Sequence, residues 1–449
     1  MERNRRKFTY VIGIIFLFVA CGSEVSGNEE LWLIETSESL DTRKITEDIQ
    51  GQPNEVHLIS TWRDLEYISA HFENEDMKEL LTYRYEITAD IEFPDRREAP
   101  LGERGYYYTQ GFTPIGRKGG DGQNALPFTG YFDGNNRVIS NLFVDKKNQD
   151  GVGLFGYVSG EDQDSIAEIK NLHMIRGEIE GRRSVGLLVG HVGANTIISG
   201  NTVNGNVSGD SSVGGLLGNV QGNIDDAIII SNNISSGSVK GGEAVGGLIG
   251  NSLTVRLIEN SGSDAHVKGM DGVGGLIGKL YETTVTESYA KGMVLGDRKE
   301  SRGIGGLVGS ALSINIRNSF SNGSVTGIEK IGGLIGWIQS PRIAGEASST
   351  IEKSYANGLV VGEKEAGRLF GRIDNGTFSH VYARDLANDG VKELAGQQSL
   401  PINLQTVHLI NLRNWNFHNW DVGEGNSVWQ RKDKNTWPTL RWQSDIRRD

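Results

Sequence analysis

Two carboxylates held close together can supply a general acid and a general base, because different surroundings push their pKa values apart. Asp225 and Asp226 are the adjacent acidic pair that stands out in this chain, and an acidic loop facing water explains them as well. Asp133-Gly134-Asn135-Asn136 offers oxygen ligands for Ca²⁺, but the other positions of an EF-hand loop are missing and a turn closing two strands accounts for it equally. The eight histidines (His57, His71, His173, His191, His266, His380, His408, His418) are scattered, with no pair at ligand spacing. Neither HExxH nor GxSxG occurs. Gly151-Val-Gly153-Leu-Phe-Gly156 matches GxGxxG without the helix and acidic residue a dinucleotide fold needs. Val273–Lys279 matches the end of a phosphate loop but lacks its first Gly and its Ser/Thr. No cofactor and no metal follow from these residues.

The single cysteine has a clearer context. Cys21 follows the cationic stretch MERNRRK and the apolar run Phe8–Ala20, which is 13 residues long. A bilayer span needs about 20 apolar residues, so this run fits a signal-peptide core instead. The junction Phe18-Val19-Ala20-Cys21-Gly22 resembles a bacterial lipobox, with Phe18 where Leu is usual. That resemblance implies cleavage before Cys21, lipidation of its thiol, and anchoring in the bacterial envelope, with the outer membrane or cell surface as destination. The alternative is a plain secretory signal followed by a coincidental cysteine. A net charge of −12 supplies no basic footprint for phosphates, which argues against a nucleic-acid partner.

The elements that must position any site are dominated by repetition. There are 62 Gly and only 8 Pro, and no proline lies between Pro127 and Pro341. A long Val, Ile and Gly-rich stretch without proline predicts continuous ladder hydrogen bonding. One element reads GVGLFG, VGLLVG, VGGLLG, VGGLIG, VGGLIG, IGGLVG, IGGLIG and AGRLFG, closing at Gly156, Gly190, Gly218, Gly250, Gly278, Gly309, Gly336 and Gly371. The closing glycines are 34, 28, 32, 28, 31, 27 and 35 residues apart. Ile198, Ile230, Ile258, Val285, Ile316 and Ile351 are each followed nine residues later by Val207, Val239, Val267, Val294, Val325 and Val360, and each valine is followed two residues later by glycine.

Repeats this short, without a helical pattern, exclude helical and leucine-rich arrays and are too small for propeller blades. They predict an all-β, single-stranded parallel β-solenoid of about 30 residues per turn, with equivalent strands stacked roughly 4.8 Å apart. The named valines and isoleucines then form inward columns, and Ser288, Ser319 and Ser354 form another, followed by Tyr289, Phe320 and Tyr355. Glycine is expected to provide the tight corners and positive φ. Adjacent Leu and Ile in VGGLIG cannot both face inward on a straight strand, so the strand bends at Gly or one of them is covered from outside. Between the GLIG glycine and the next Ile or Val there are 7, 11, 7, 6, 6 and 14 residues, whereas the other junctions hold three, apart from Gly296–Ile304 with seven. Insertions therefore gather on one corner, where recognition is expected.

Flanking segments complete the plan: a signal peptide at 1–20, a flexible tether at 21–53, and a cap with first strands at 54–127. The coil itself occupies 128–390, and a Trp-rich cap 391–449. In the first cap, Thr61 and Asp64 make a capping box ahead of Trp62, Leu65, Ile68 and Phe72, predicting a helix over 62–73. Tyr85, Ile87, Ala89, Ile91 and Phe93 alternate as a strand does. Trp415, Trp420, Trp429, Trp437 and Trp442 are expected to close the last rung's apolar end, the alternative being a platform for stacking sugars.

VGGLIG followed by TESYAKGMVLG (286–296), RNSFSNGSVTG (317–327) and EKSYANGLVVG (352–362) resembles the GLUG-motif family. FTPIG at 112–116, PFTGYFDGNNRVISNLFV at 127–144 and WPTLRW at 437–442 extend the resemblance over roughly 56–442. It implies an exported bacterial surface protein, adhesin-like and non-catalytic, binding a surface, matrix, protein or glycan component. The zinc peptidase activity found beside such repeats has no HExxH counterpart here. Parallel β-helices also carry polysaccharide lyases and hydrolases, so an enzyme built around Asp225 and Asp226, or a purely structural envelope protein, are the alternatives.

Overall fold

A computed structural model describes residues 55–95, 110–120, 124–162, 165–223, 225–341, 348–384, 420, 422–423, 427–432 and 436–444, together with the backbone of 395–398 and 403–410. Cys21, the signal peptide, the tether and Trp415 lie outside them.

The chain between these limits is the parallel β-solenoid. Strands Thr196–Ser199, Thr202–Ser208 and Ser211–Gly214 of one turn pair in parallel with Ile229–Ser231, Ile234–Lys240 and Glu243–Gly246 of the next. The fourth strand of each turn, Leu217–Gln221 and then Ile249–Leu253, belongs to a second parallel sheet. The register is strict. Val207 stands beside Val239, then Val267, Val294, Val325 and Val360. Ile198, Ile230, Ile258, Val285, Ile316 and Ile351 form the second column. All of these are buried.

The bend in VGGLIG answers the question its sequence posed. Val245 and Gly246 end a strand of the first sheet, Leu248 occupies the corner, and Ile249 opens a strand of the second. Val245, Leu248 and Ile249 are all fully buried, because the chain turns between them.

Corner geometry corrects the role given to glycine. The positive φ values fall mostly on other residues: Asn232 (57°), Asn260 (46°), Glu287 (49°), Asn318 (49°), Lys353 (46°) and His380 (54°) stack at one corner. Ser212 (54°), Ala244 (52°) and Lys330 (58°) stack at another, joined by Gly272 and Gly303. Each left-handed residue other than Gly costs roughly 1–2 kcal/mol, a strain held by the turns on either side. The repeat glycines serve a different need. A Cβ on Gly250 would collide with the backbone of Val213 and Ser212 in the preceding turn, and the other closing glycines are equally crowded against backbone.

Next to the left-handed corner runs a ladder of small polar side chains. Ser261 N–H donates to Ser288 Oγ (3.4 Å), Ser288 N–H to Ser319 Oγ (3.2 Å) and Ser319 N–H to Ser354 Oγ (3.2 Å). Asn201 and Asn233 extend it through the earlier turns, Asn201 N–H donating to Asn233 Oδ1 at 3.0 Å. Each serine hydroxyl also donates to the carbonyl two residues before it, as Ser319 does to Arg317 at 2.8 Å. These side chains are fully buried, and the ladder satisfies amides that the bend takes out of the sheet.

At the N-terminal end the coil starts earlier than residue 128. Val56–Ile59 pairs in parallel with Arg84–Ile87, which pairs with Tyr131–Asp133. Helix α1, Trp62–His71, is inserted after that first strand, its Asp64 carboxylate accepting the Thr61 N–H at 2.8 Å. Leu65, Ile68 and Phe72 join the same core as the coil. The strand expected from Tyr85 to Phe93 is interrupted, with Arg84–Ile87 and Ile91–Glu92 joining successive strand columns. At the other end Ala395–Gln398 and Asn403–Ile410 still pair as rungs, so the coil also runs past 390.

The described part of the Trp-rich segment lies on the side of the coil. Tyr289, Phe320, Tyr355 and Tyr382 form an outward column in register across successive turns. Phe320 and Tyr355 are stacked at 4.9 Å with planes 4° apart. The described part of the C-terminal segment lies against this column as a strap: Trp420 on Tyr382, Trp429 on Tyr355 and Phe320, and Trp442 on Tyr289. Tyr355 donates its hydroxyl hydrogen to the Pro438 carbonyl (2.6 Å) and Trp442 Nε1–H donates to that of Glu287 (2.8 Å). Trp420 and Trp429 are buried there, with no ring face to offer a sugar.

Two substitutions test this account. Gly250→Ala is expected to destabilise the coil by about 1–3 kcal/mol through overpacking, and Ser319→Ala by a similar amount by orphaning the Ser288 N–H. Denaturant midpoints combined with hydrogen exchange of the neighbouring turns check both; unchanged protection in the flanking turns would rule the account out.

Candidate functional site

The corner that collects the insertions is also where the surface is concave. It joins the second sheet to the next turn's first strand, and a groove of about 660 Å³ crosses it over several turns. Asp225 and Asp226 stand in its wall with Asn223. Arg256 and Glu282 come from the following turns, and Ser313, Asn315, Ser348 and Thr350 from later ones.

Stacking explains how residues so far apart in sequence converge. Thr284, Asn315 and Thr350 occupy one register position, so their side chains stand one rung apart along the coil. Thr254, Glu282 and Ser313 hold equivalent bends, with φ of 52°, 47° and 53°, that lead into Leu257–Glu259, Thr284–Thr286 and Asn315–Arg317. Thr254 donates its hydroxyl hydrogen to Glu282 Oε2 at 2.9 Å. Thr283 Oγ accepts the Val255 N–H (3.2 Å) and donates to the Tyr281 carbonyl (2.7 Å), which fixes the groove floor. The Ser313 hydroxyl is buried in this wall without a hydrogen-bond partner among the described residues.

The acidic pair is part of the groove, but its members are already engaged. Asp226 Oδ2 accepts the Asn223 backbone N–H (2.6 Å) and side-chain amide (3.2 Å), closing its own loop. Asp133 is used in a similar way: Oδ1 accepts the Asn135 N–H (2.8 Å) and the Asn171 amide (3.1 Å), the turn that its sequence also suggested. Among the described residues no cluster of His, Cys, Asp or Glu is arranged to hold a metal ion. Gly151–Gly156 is a rung, and Lys279 points to Glu243 (2.5 Å) and Asp271 (2.8 Å) in an ion-pair network with Arg302. Sequence reasoning found the corner and the acidic pair but missed Arg256, Glu282, Ser313 and Asn315. Aligning the residues just before each Ile/Val column would have revealed them.

A second polar arrangement lies on the outer face of the second sheet, where His191, Asn219, Asn251 and Lys279 share one column. His191 Nε2 is 3.1 Å from Lys118 Nζ, and its Nδ1 is 2.9 Å from the Asn219 amide, which is 2.8 Å from that of Asn251. A neutral imidazole donates at one nitrogen and accepts at the other. The Asn219 Nδ2–H group faces His191 Nδ1, and the Asn219 oxygen accepts from Asn251 Nδ2. Burial, assisted by the Lys118 charge, pushes the His191 pKa down to about 3.

No family model matches the chain. Over 168 residues it is 30% identical to halomucin of Haloquadratum walsbyi, a stretch that is 37% of this chain and spans 2% of that protein's length. Among solved structures, a Bacteroides ovatus protein provisionally named an immunoglobulin A1 protease superposes with a TM-score of 0.39 at 15% identity, covering 87% of this chain and 94% of that one. No described helix is long and apolar enough to cross a membrane.

The neutral histidine makes a pH prediction. His191 takes up a proton near 6.5 when unfolded and near 3 when folded, so its contribution is complete above 6.5 and is lost as pH falls toward 3. His191→Gln is expected to flatten that part of the stability–pH curve. Denaturant titrations between pH 3 and 7 check it; parallel wild-type and variant curves would contradict the assignment.

Proposed function

We propose that this chain is a lipid-anchored bacterial surface protein of the GLUG-repeat kind, in which the coil is a rigid stalk and the corner groove is its binding surface. Cys21 carries the lipid, and residues 21–53 tether the coil to the membrane. The groove on the insertion-bearing corner carries this reading, since it is where the chain varies its length without disturbing the ladders. The likeness to halomucin, a protein named as a mucin, supports a place at the cell surface. Engagement of Asp226 by its own loop favours binding over polysaccharide cleavage. The ligand class is a surface, matrix or glycan component.

Wild-type and Cys21→Ala cells should differ sharply. External protease is expected to trim the wild-type protein on intact cells, while the variant leaves the membrane fraction and cells lose adhesion. Equal membrane partitioning of the two would remove the anchor from the proposal, and full protection of the wild-type chain from protease would remove the surface location.

A further inference from the structure

From the groove's chemistry and its repeat we infer a more definite ligand: an uncharged linear polysaccharide lying along the coil axis, bound by side chains one rung apart. This rests on the groove being the binding surface. Thr284, Asn315 and Thr350 are held in one column by the parallel register, so their polar groups repeat at the rung spacing of roughly 4.8 Å. A pyranose ring in an extended polysaccharide is close to one rung long, so sugar hydroxyls recur along the chain at a spacing near that of the column. An extended peptide advances by roughly 3.3 Å per residue and drifts out of step within a few positions.

The groove's polar groups suit hydroxyl-rich ligands. Hydroxyls and amides both donate and accept, as sugar hydroxyls do, and Thr254, Thr284, Ser313, Asn315 and Thr350 supply such groups. Ser313 Oγ is buried with its hydrogen-bonding capacity unfilled among the described residues. Buried polar groups in native proteins are normally satisfied, so this hydroxyl marks a local polar imbalance in the groove wall. Charge sets the sign of the preference. Among the described residues of the lining, Asp225, Asp226 and Glu282 oppose the Arg256 guanidinium, so a polyuronate or sulfated chain meets net repulsion. Among the described residues, the strands beside the groove are engaged in rung-to-rung ladders and offer no free sheet edge for β-strand addition by a peptide.

The test uses the full mature chain in calorimetric titrations with four probes: neutral linear β-glucan oligosaccharides of increasing length, chitooligosaccharides, oligogalacturonate and a Lys-rich peptide. A neutral oligosaccharide is expected to bind, with affinity rising until the chain spans the column and then levelling. Thr284→Val/Asn315→Leu/Thr350→Val should weaken it about tenfold or more with the thermal midpoint unchanged. Thr350→Val alone, at an exposed position, gives a smaller loss and guards against misfolding of the triple variant. Equal affinity of wild type and Thr350→Val, binding of oligogalacturonate or the peptide in preference to both neutral series, or no binding by either neutral series, overturns the inference. Adhesion of intact cells, repeated with the triple variant, separates the two readings. Adhesion lost in the variant without any neutral glycan binding rejects only the ligand class. Adhesion unchanged in the variant rejects the groove itself.

Discussion

Every amide in a rung is satisfied mainly by the rung beside it, so no turn can hold its shape without a neighbour of the same shape. This mutual dependence governs the molecule. A residue tolerated in one turn must sit above and below residues with the same backbone angles, which is why left-handed conformations recur at Asn232, Asn260, Glu287 and Asn318 although none is glycine. The Asn and Ser ladder follows from the same constraint. The bend withdraws an N–H from the sheet, and only a short polar side chain from the adjacent rung reaches it.

Under this constraint variation has few outlets. Inward columns hold apolar side chains, mostly Val and Ile with Phe132 and Phe378 toward the ends of one of them, and the closing glycines of VGGLIG leave no room for a Cβ against the backbone of the preceding turn. Outward columns and the corner after GLIG are freer. The first outlet carries the aromatic column under the C-terminal strap and the His191–Asn219 arrangement. The second carries the groove. A rigid repeating frame with adjustable edges thus separates what holds the fold from what can recognise a partner.

Much of this architecture was readable in the sequence because one-dimensional repetition maps directly onto stacking. The Val207 and Ile198 series predicted actual columns, and Ser288 and Tyr289 headed the ladders expected of them. What was hidden depends on contacts that have no period. Glycine looked like the corner residue because it is frequent, yet frequency does not separate positive φ from close approach. The tryptophans were expected at the last rung, which they follow in sequence; the aromatic column that receives Trp420, Trp429, Trp437 and Trp442 begins at Tyr289, far upstream. In the groove, Asp225 and Asp226 were visible as neighbours, whereas Arg256, Glu282 and Asn315 meet them only through stacking.

The strap changes how such a coil comes apart. A solenoid held only by nearest-neighbour rungs frays from an open end, each turn peeling away once the last has gone. Here the final segment doubles back to Glu287 and fastens at Tyr289, Phe320, Tyr355 and Tyr382. Loosening the last turn alone therefore leaves the strap still bound to earlier ones, and those turns must yield together. Tension on the C-terminal end is shared as shear along an aromatic seam, and unravelling from that side becomes one cooperative step.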